Sequence, residues 1–181
     1  MKIPDLVVVT TSKDKLIEIN QILGTNHKVS TLDIPEIQSL DLDEVIIRKA
    51  KEAYEKFKKP VLVEDISLEI KALKGLPGTF IKFFLQTVGT EGTVKMLGNA
   101  KTDTKVTAAV AIYNGKDLKI FKGTVDGTLS SKNRGPHGFG FDKIFIPRGY
   151  TKTFAQMPPA LKNKISHRAL ALKKVKQFFI S

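Results

Sequence analysis

No cysteine occurs anywhere in the 181 residues, so disulfide scaffolds, thiolate metal sites and cysteine nucleophiles are excluded together. Long apolar runs are missing too. Stretches such as Leu6 to Val9 fall far short of the roughly 20 residues that a membrane-spanning helix needs. The opening Met1-Lys2-Ile3-Pro4-Asp5 has none of the extended apolar character of a secretory signal. These absences predict a soluble, cytoplasmic protein. At about 150 residues per domain the length predicts one domain over 1–181. Such a chain can bury about 70% of its unfolded surface, enough for a core without covalent staples.

A further absence is one of sign. No acidic residue follows Asp142, while Lys143, Arg148, Lys152, Lys162, Lys164, Arg168, Lys173, Lys174 and Lys176 do. The whole chain carries a formal net charge of +12. A one-signed field draws anions such as nucleic acid, an acidic membrane surface or a polyphosphate substrate. A lysine-rich solubilising surface has the same composition.

What is present reads as alternating strands and helices. Leu6-Val7-Val8-Val9 suits a short buried strand, followed by a polar turn. Leu16, Ile19, Ile22 and Leu23 then fall on one helical face that Gly24 ends, with Thr11 or Ser12 as N-cap. A second helix is predicted from about Asp41 to Lys58, and Pro60 precedes a buried strand, Val61-Leu62-Val63, that runs into Glu64-Asp65. A carboxylate pair at the carboxyl end of a buried strand is where open α/β sheets place ligands. Leu68-Glu69-Ile70 continues extended, and helical patterns at 80–88 and 91–97 follow. Val106 to Tyr113 and Leu118 to Val125 form a hairpin around Asn114-Gly115-Lys116-Asp117. A glycine-rich loop spans 134–142, and a basic helix covers 166–179. The fold class is therefore α/β, and no repeat or internal boundary interrupts it.

Four segments carry chemistry. Thr10-Thr11-Ser12-Lys13-Asp14-Lys15 joins a strand to a helix N-terminus, where free amides, hydroxyls and lysines make an anion site; it also serves as an ordinary cap. It is not a P-loop, because the glycines and the Gly-Lys-Ser/Thr ending are missing. Glu36, Glu64 and Asp65 are carboxylates able to share a Mg²⁺ with substrate phosphates, or to activate water. Gly138-Phe139-Gly140-Phe141-Asp142 offers close backbone approach, a ring to stack on a base and an acceptor beside it; equally, both rings suit a core. In Lys162-Asn163-Lys164-Ile165-Ser166-His167-Arg168, Ser166 suits a helix N-cap and the cations suit phosphate or carbonyl oxygens. The Ser166–His167 pair lacks an orienting acid and does not make a nucleophilic triad.

In this order, and over nearly the whole chain, these segments resemble the inosine triphosphate pyrophosphatase family, nucleotide hydrolases acting on deaminated purine triphosphates. Ala72-Leu73-Lys74-Gly75-Leu76-Pro77-Gly78, Phe80 to Phe84 and Thr153 to Met157 add to the likeness. The resemblance implies a long twisted mixed sheet flanked by helices, two lobes with a central cleft, a homodimer, and Mg²⁺-dependent release of pyrophosphate. It further implies that Asp65 is the catalytic acid/base and a metal ligand with Glu36. Thr10, Ser12, Lys15, Lys49 and Lys82 would neutralise the triphosphate, with Thr11, Lys13 and Asp14 also in contact with the substrate. Phe139 would stack on the base, Asp142, Lys162, His167 and Arg168 would hold base and ribose-side groups, and Ile66, Gly140 and Phe141 would also contact the substrate. Three positions depart from the family pattern: Ser12 stands for Asn, Lys143 for Pro, and Gln156 for an acid. A competing reading is a sequence-tolerant nucleic-acid-binding module built on the basic C-terminal third, with affinity falling steeply as salt rises.

Overall fold

The computed structural model describes residues 6–28 and 34–180. Met1 to Asp5 and part of the loop leading to Pro35 lie outside them. Among these residues six strands form one mixed sheet. Strand β1 is Val7–Val9, β2 Val61–Ile70, β3 Pro77–Gly78, β4 Asp103–Tyr113, β5 Leu118–Leu129 and β6 Phe145–Pro147, in the order β1-β2-β4-β5-β6 with β3 beside β2. Only the β1–β2 pair is parallel. The helices are α1 Lys13–Leu23, α2 Leu42–Phe57, α3 Ile81–Thr87, α4 Gly89–Lys95, α5 Pro159–Ile165 and α6 His167–Ile180. None is long and apolar enough to cross a membrane.

Local chemistry sets the helix ends. Ser12 caps α1 by accepting from the Lys15 amide at 3.2 Å, and Gly24 ends it at φ 73°, donating to the Asn20 carbonyl at 2.8 Å. Asp41 caps α2 through the Asp43 amide at 2.8 Å. Ser166 caps α6, accepting from Ala169 at 3.2 Å.

Strand alternation divides the core in two. Leu62, Leu68 and Ile70 of β2, with Val106, Ala108 and Val110 of β4, pack against Leu16 and Ile19 of α1 and Leu172 and Val175 of α6. Val61, Val63, Ala109 and Ala111 point the other way, onto Ile46, Ala50 and Ala53 of α2. Alanines on both sides make room for helix seats.

One expectation changes here. The strand predicted at Val61 to Val63 and the extended stretch at Leu68 to Ile70 are one strand, β2, so the carboxylate pair lies within the strand and not at its carboxyl end. The ligand position instead lies past the carboxyl end of β1, whose last residue, Val9, pairs with Val63. Helix α5 has no counterpart among the predicted elements; Pro159 occupies its first turn, where no amide donor is needed.

Gly123 of β5 sets the distance between sheet and α6. A Cβ there would lie 2.1 Å from the His167 carbonyl oxygen and 2.4 Å from the Ala171 nitrogen. Gly123→Ala is expected to destabilise the protein by about 1–3 kcal/mol, measured as a lowered urea midpoint with an unchanged slope.

Candidate active site

A cavity of about 340 Å³ opens between the end of β1, the N-termini of α1 and α6, α3 and the 138–142 loop. It corresponds to the cleft expected between two lobes, and its two ends differ in chemistry.

At one end Thr10, Thr11, Ser12 and Lys15 line the wall. The Thr10 hydroxyl accepts from the Ser12 amide at 3.2 Å, closing the turn into α1. Lys49 reaches in from α2, with Nζ 2.5 Å from Glu36 Oε1, 3.1 Å from Asp65 Oδ2 and 3.1 Å from the Glu64 carbonyl oxygen. Burial disfavours its charge, but Asp65 and then Glu36 outweigh burial and hold its pKa above the ordinary lysine value. The Ile66 amide donates to Asp65 Oδ1 at 2.8 Å, orienting the carboxylate. Lys82 of α3 completes this end, 4.0 Å from Glu36 Oε2 on an exposed side chain.

Glu64 and Asp65 part company because successive residues of a strand face opposite sides. Asp65 faces Lys49, whereas Glu64 turns to the α6 side and meets Arg168, with Nε to Oε1 at 2.8 Å and Nη2 to Oε2 at 3.3 Å, while Lys15 lies 3.4 Å from Oε2. Burial raises the Glu64 pKa, but Arg168 and then Lys15 reverse that and lower it. Glu36 and Asp65 thus converge on one cation, and Glu64 belongs to a separate network.

At the other end Phe139, Gly140, Phe141, Asp142, His167 and Arg168 line the cavity. Gly138, at φ 73°, brings its backbone so close to Asp142 that an added Cβ would sit 2.3 Å from Oδ2. Asp142 Oδ2 accepts from the Phe139 amide at 2.9 Å and from Lys162 Nζ. Asp142 thus holds its own loop through Oδ2 while it lines the cavity. Burial keeps its pKa raised despite the Lys162 charge. Lys162 is buried behind the loop rather than in the cavity, 4.7 Å from the centre of the Phe139 ring, with Arg168 at 5.4 Å. Phe141 is a core residue edge-on to Phe145. Lys13 and Asp14, expected at the anion site, are exposed on the outer side of the α1 first turn and do not line the cavity.

His167 is 2% exposed, its ring tilted against those of Phe141 and Phe154 at 5.7 and 6.1 Å between centres, and neither ring nitrogen has a hydrogen-bond partner. Burial, then Arg168, Lys162 and Lys15, drive its pKa well below the ordinary 6.5. The imidazole is therefore neutral, presenting one donor and one acceptor.

One functional residue escaped the sequence reading. Glu18, on the apolar face of α1 between Leu16 and Ile19, accepts from Lys162 Nζ at 2.7 Å and from Arg168 Nη1. The signal was available: an acid on a helix face due for burial needs a cation. Ile81, Leu85 and Gln86 also line the cavity, following Lys82 along α3. The basic C-terminal segment is partly internal, since Lys162 and Arg168 are buried in ion pairs and Lys173 and Lys174 donate to carbonyls of Lys164 and Lys122.

A sequence model of the Ham1 family matches residues 6–178. The chain belongs to the Ham1 family. It is similar to an inosine triphosphate pyrophosphatase of Yarrowia lipolytica, 44% identical over 96% of this chain and 94% of that one. It is also similar to a dITP/XTP pyrophosphatase of Hyperthermus butylicus, 36% identical over 94% and 92%. In three dimensions it is similar to the Ham1 protein of Staphylococcus aureus, with a TM-score of 0.79 and 26% identity, covering 97% of this chain and 98% of that one. The mixed sheet flanked by helices is thus the Ham1 fold.

Two consequences concern stability. Arg168→Met would leave Glu18 and Glu64 buried without their shared cation, a loss expected to be about 3–5 kcal/mol in chemical denaturation. His167 adds a pH dependence. Its native pKa lies below that of the unfolded chain, so its contribution is full above about pH 6.5 and is lost as pH falls from there toward the native value. Below pH 6.5 the wild type is expected to lose up to about 1.4 kcal/mol per pH unit from this group, a slope that His167→Phe removes in melting curves.

Proposed function

We propose that the protein hydrolyses deaminated purine nucleoside triphosphates (ITP, dITP and XTP) to the monophosphate and pyrophosphate, with Mg²⁺ as cofactor, as a cytoplasmic homodimer. The observation that carries the hydrolysis is a single cavity with a cation-rich, two-carboxylate end and an aromatic end holding a neutral, unpartnered imidazole. The names of the two relatives above agree with it; the homodimer rests on the family likeness alone, and the location on the expectation drawn from the sequence.

The donor set suits Mg²⁺. Glu36 and Asp65 already share one cation, the Lys49 ammonium. Mg²⁺ asks for one or two carboxylates and takes its remaining oxygens from substrate phosphates and water. Among the described residues no larger His/Asp/Glu group gathers, as a dedicated all-protein cage would require. Glu36 and Asp65 would hold the ion, which supplies charge neutralisation on the phosphates.

The protein's own groups do the rest. A triphosphate brings about four negative charges, and phosphoryl transfer is catalysed chiefly by positioning and charge stabilisation. Lys15, Lys49, Lys82 and the α1 N-terminal amides offset that charge. Asp65, oriented by the Ile66 amide, takes a proton from water as the water oxygen bonds to the α-phosphorus. The bond from that phosphorus to the α,β-bridging oxygen breaks, and pyrophosphate departs with the electron pair.

At the aromatic end, Phe139 offers a face for the base. His167 presents a donor to the oxygen at purine position six. Arg168, with three of its N–H groups committed to Glu18 and Glu64, directs its remaining donors the same way. Adenine carries an amino donor at that position. At Arg168, which has no acceptor, a donor facing a donor costs roughly 1–3 kcal/mol, hence about ten- to hundredfold discrimination at that contact.

The test is pyrophosphate release from a nucleotide panel with and without Mg²⁺. Turnover of inosine and xanthosine triphosphates, metal-dependent and far above that of ATP, is expected. Salt-sensitive nucleic-acid binding with no release would favour the binding-module reading instead. Asp65→Asn is expected to lower kcat by at least about a thousandfold while retaining nucleotide binding by calorimetry; undiminished turnover removes Asp65 from its role.

A further inference from the structure

The Lys49 ammonium sits where a divalent ion would sit. Its three oxygen neighbours, Glu36 Oε1 at 2.5 Å, Asp65 Oδ2 at 3.1 Å and the Glu64 carbonyl at 3.1 Å, match the three donors of an ammonium. Two of the three belong to the carboxylates assigned above to Mg²⁺. Among the described residues no other cation takes this place: Lys82 is 4.0 Å from Glu36 and largely exposed, and Lys15 is paired with Glu64 across the strand.

Resting on that metal assignment, we propose that Lys49 is a built-in stand-in cation. It holds Glu36 and Asp65 together in the metal-free protein and releases them when a divalent ion enters. Mg²⁺ oxygens lie at about 2.0–2.1 Å, so an ion bound to these carboxylates and an ammonium bridging them would stand within a few ångströms of each other. The two like charges repel, and the monovalent one on a flexible stem yields. The Glu64 carbonyl belongs to the β2 ladder and does not move with it. Lys49 therefore keeps this anchor and pivots, and the donors freed from the carboxylates turn to the triphosphate oxygens. One side chain would thus keep the acids in place beforehand and grip the substrate afterwards. Its cost is competition: the resting protein binds a divalent ion more weakly than its two carboxylates alone would.

The experiment titrates Mn²⁺ by electron paramagnetic resonance, without nucleotide, into wild type, Lys49→Met and the double variant Glu36→Gln/Lys49→Met. Lys49→Met is expected to bind Mn²⁺ at least about tenfold more tightly than wild type, and the double variant is expected to lose that gain. A second readout is thermal: Mn²⁺ should raise the melting temperature of Lys49→Met more than that of wild type. Lys49→Gln, which keeps a polar group against the Glu64 carbonyl, serves if the methionine variant does not fold. Affinity equal to or weaker than wild type overturns the proposal, as does a gain that survives loss of Glu36. The functional reading is judged separately by the metal requirement of wild-type turnover, which stands or falls whatever Lys49→Met shows.

Discussion

Three buried acids and three cations alternate through the centre of this protein. Lys15 meets Glu64, Glu64 meets Arg168, Arg168 meets Glu18, Glu18 meets Lys162, and Lys162 meets Asp142, whose other donor is the Phe139 amide. Ion pairs this deeply desolvated are a poor route to stability, because the lost hydration rivals the Coulomb attraction. What they supply here is position. The chain starts at the first turn of α1, beside the cationic end of the cavity, and finishes at the loop that carries the ring at the other end. Five segments distant in sequence are brought into one register by groups that tolerate no vacancy.

The network also explains why Arg168 remains charged and fixed. Burial works against the guanidinium, but Glu64 and then Glu18 overcome it and hold its pKa above the ordinary value. The adjacent imidazole experiences the opposite: burial and the same cations, uncompensated by any acid of its own, keep His167 neutral. Neighbouring residues on one helix turn thereby acquire different protonation states, one a permanent donor and the other a donor–acceptor, without any contact between their polar atoms.

The departures from the family pattern fit the same frame. Ser12 needs only one acceptor to cap α1, which it supplies to the Lys15 amide. Gln156 accepts from the Thr153 amide at 3.1 Å, so an uncharged acceptor suffices to close that turn. Lys143 ends a short helical turn, and its carbonyl accepts from the Arg134 amide at 2.9 Å, a contact open to any residue type.

By itself the sequence determined whatever depends on near neighbours: the β1–turn–α1 opening with its Ser12 cap, the amphipathic run of α2, the long hairpin, the glycine loop before Asp142 and the Ser166 cap. These follow from periodicity, caps and turn residues, which act over a few positions. It also marked the residue types at both ends of the cavity. Only the tertiary structure decided which members of each motif share a space. Strand alternation sent Asp65 to Lys49 and Glu64 to Arg168, and the helical screw turned Lys13 and Asp14 outward while Lys15 pointed in. Long-range charge pairing drew Glu18 from α1 to Lys162 and Arg168, more than a hundred positions away. Such pairings carry no local signature, because the free energy that enforces them exists only once water has been excluded from around the charges.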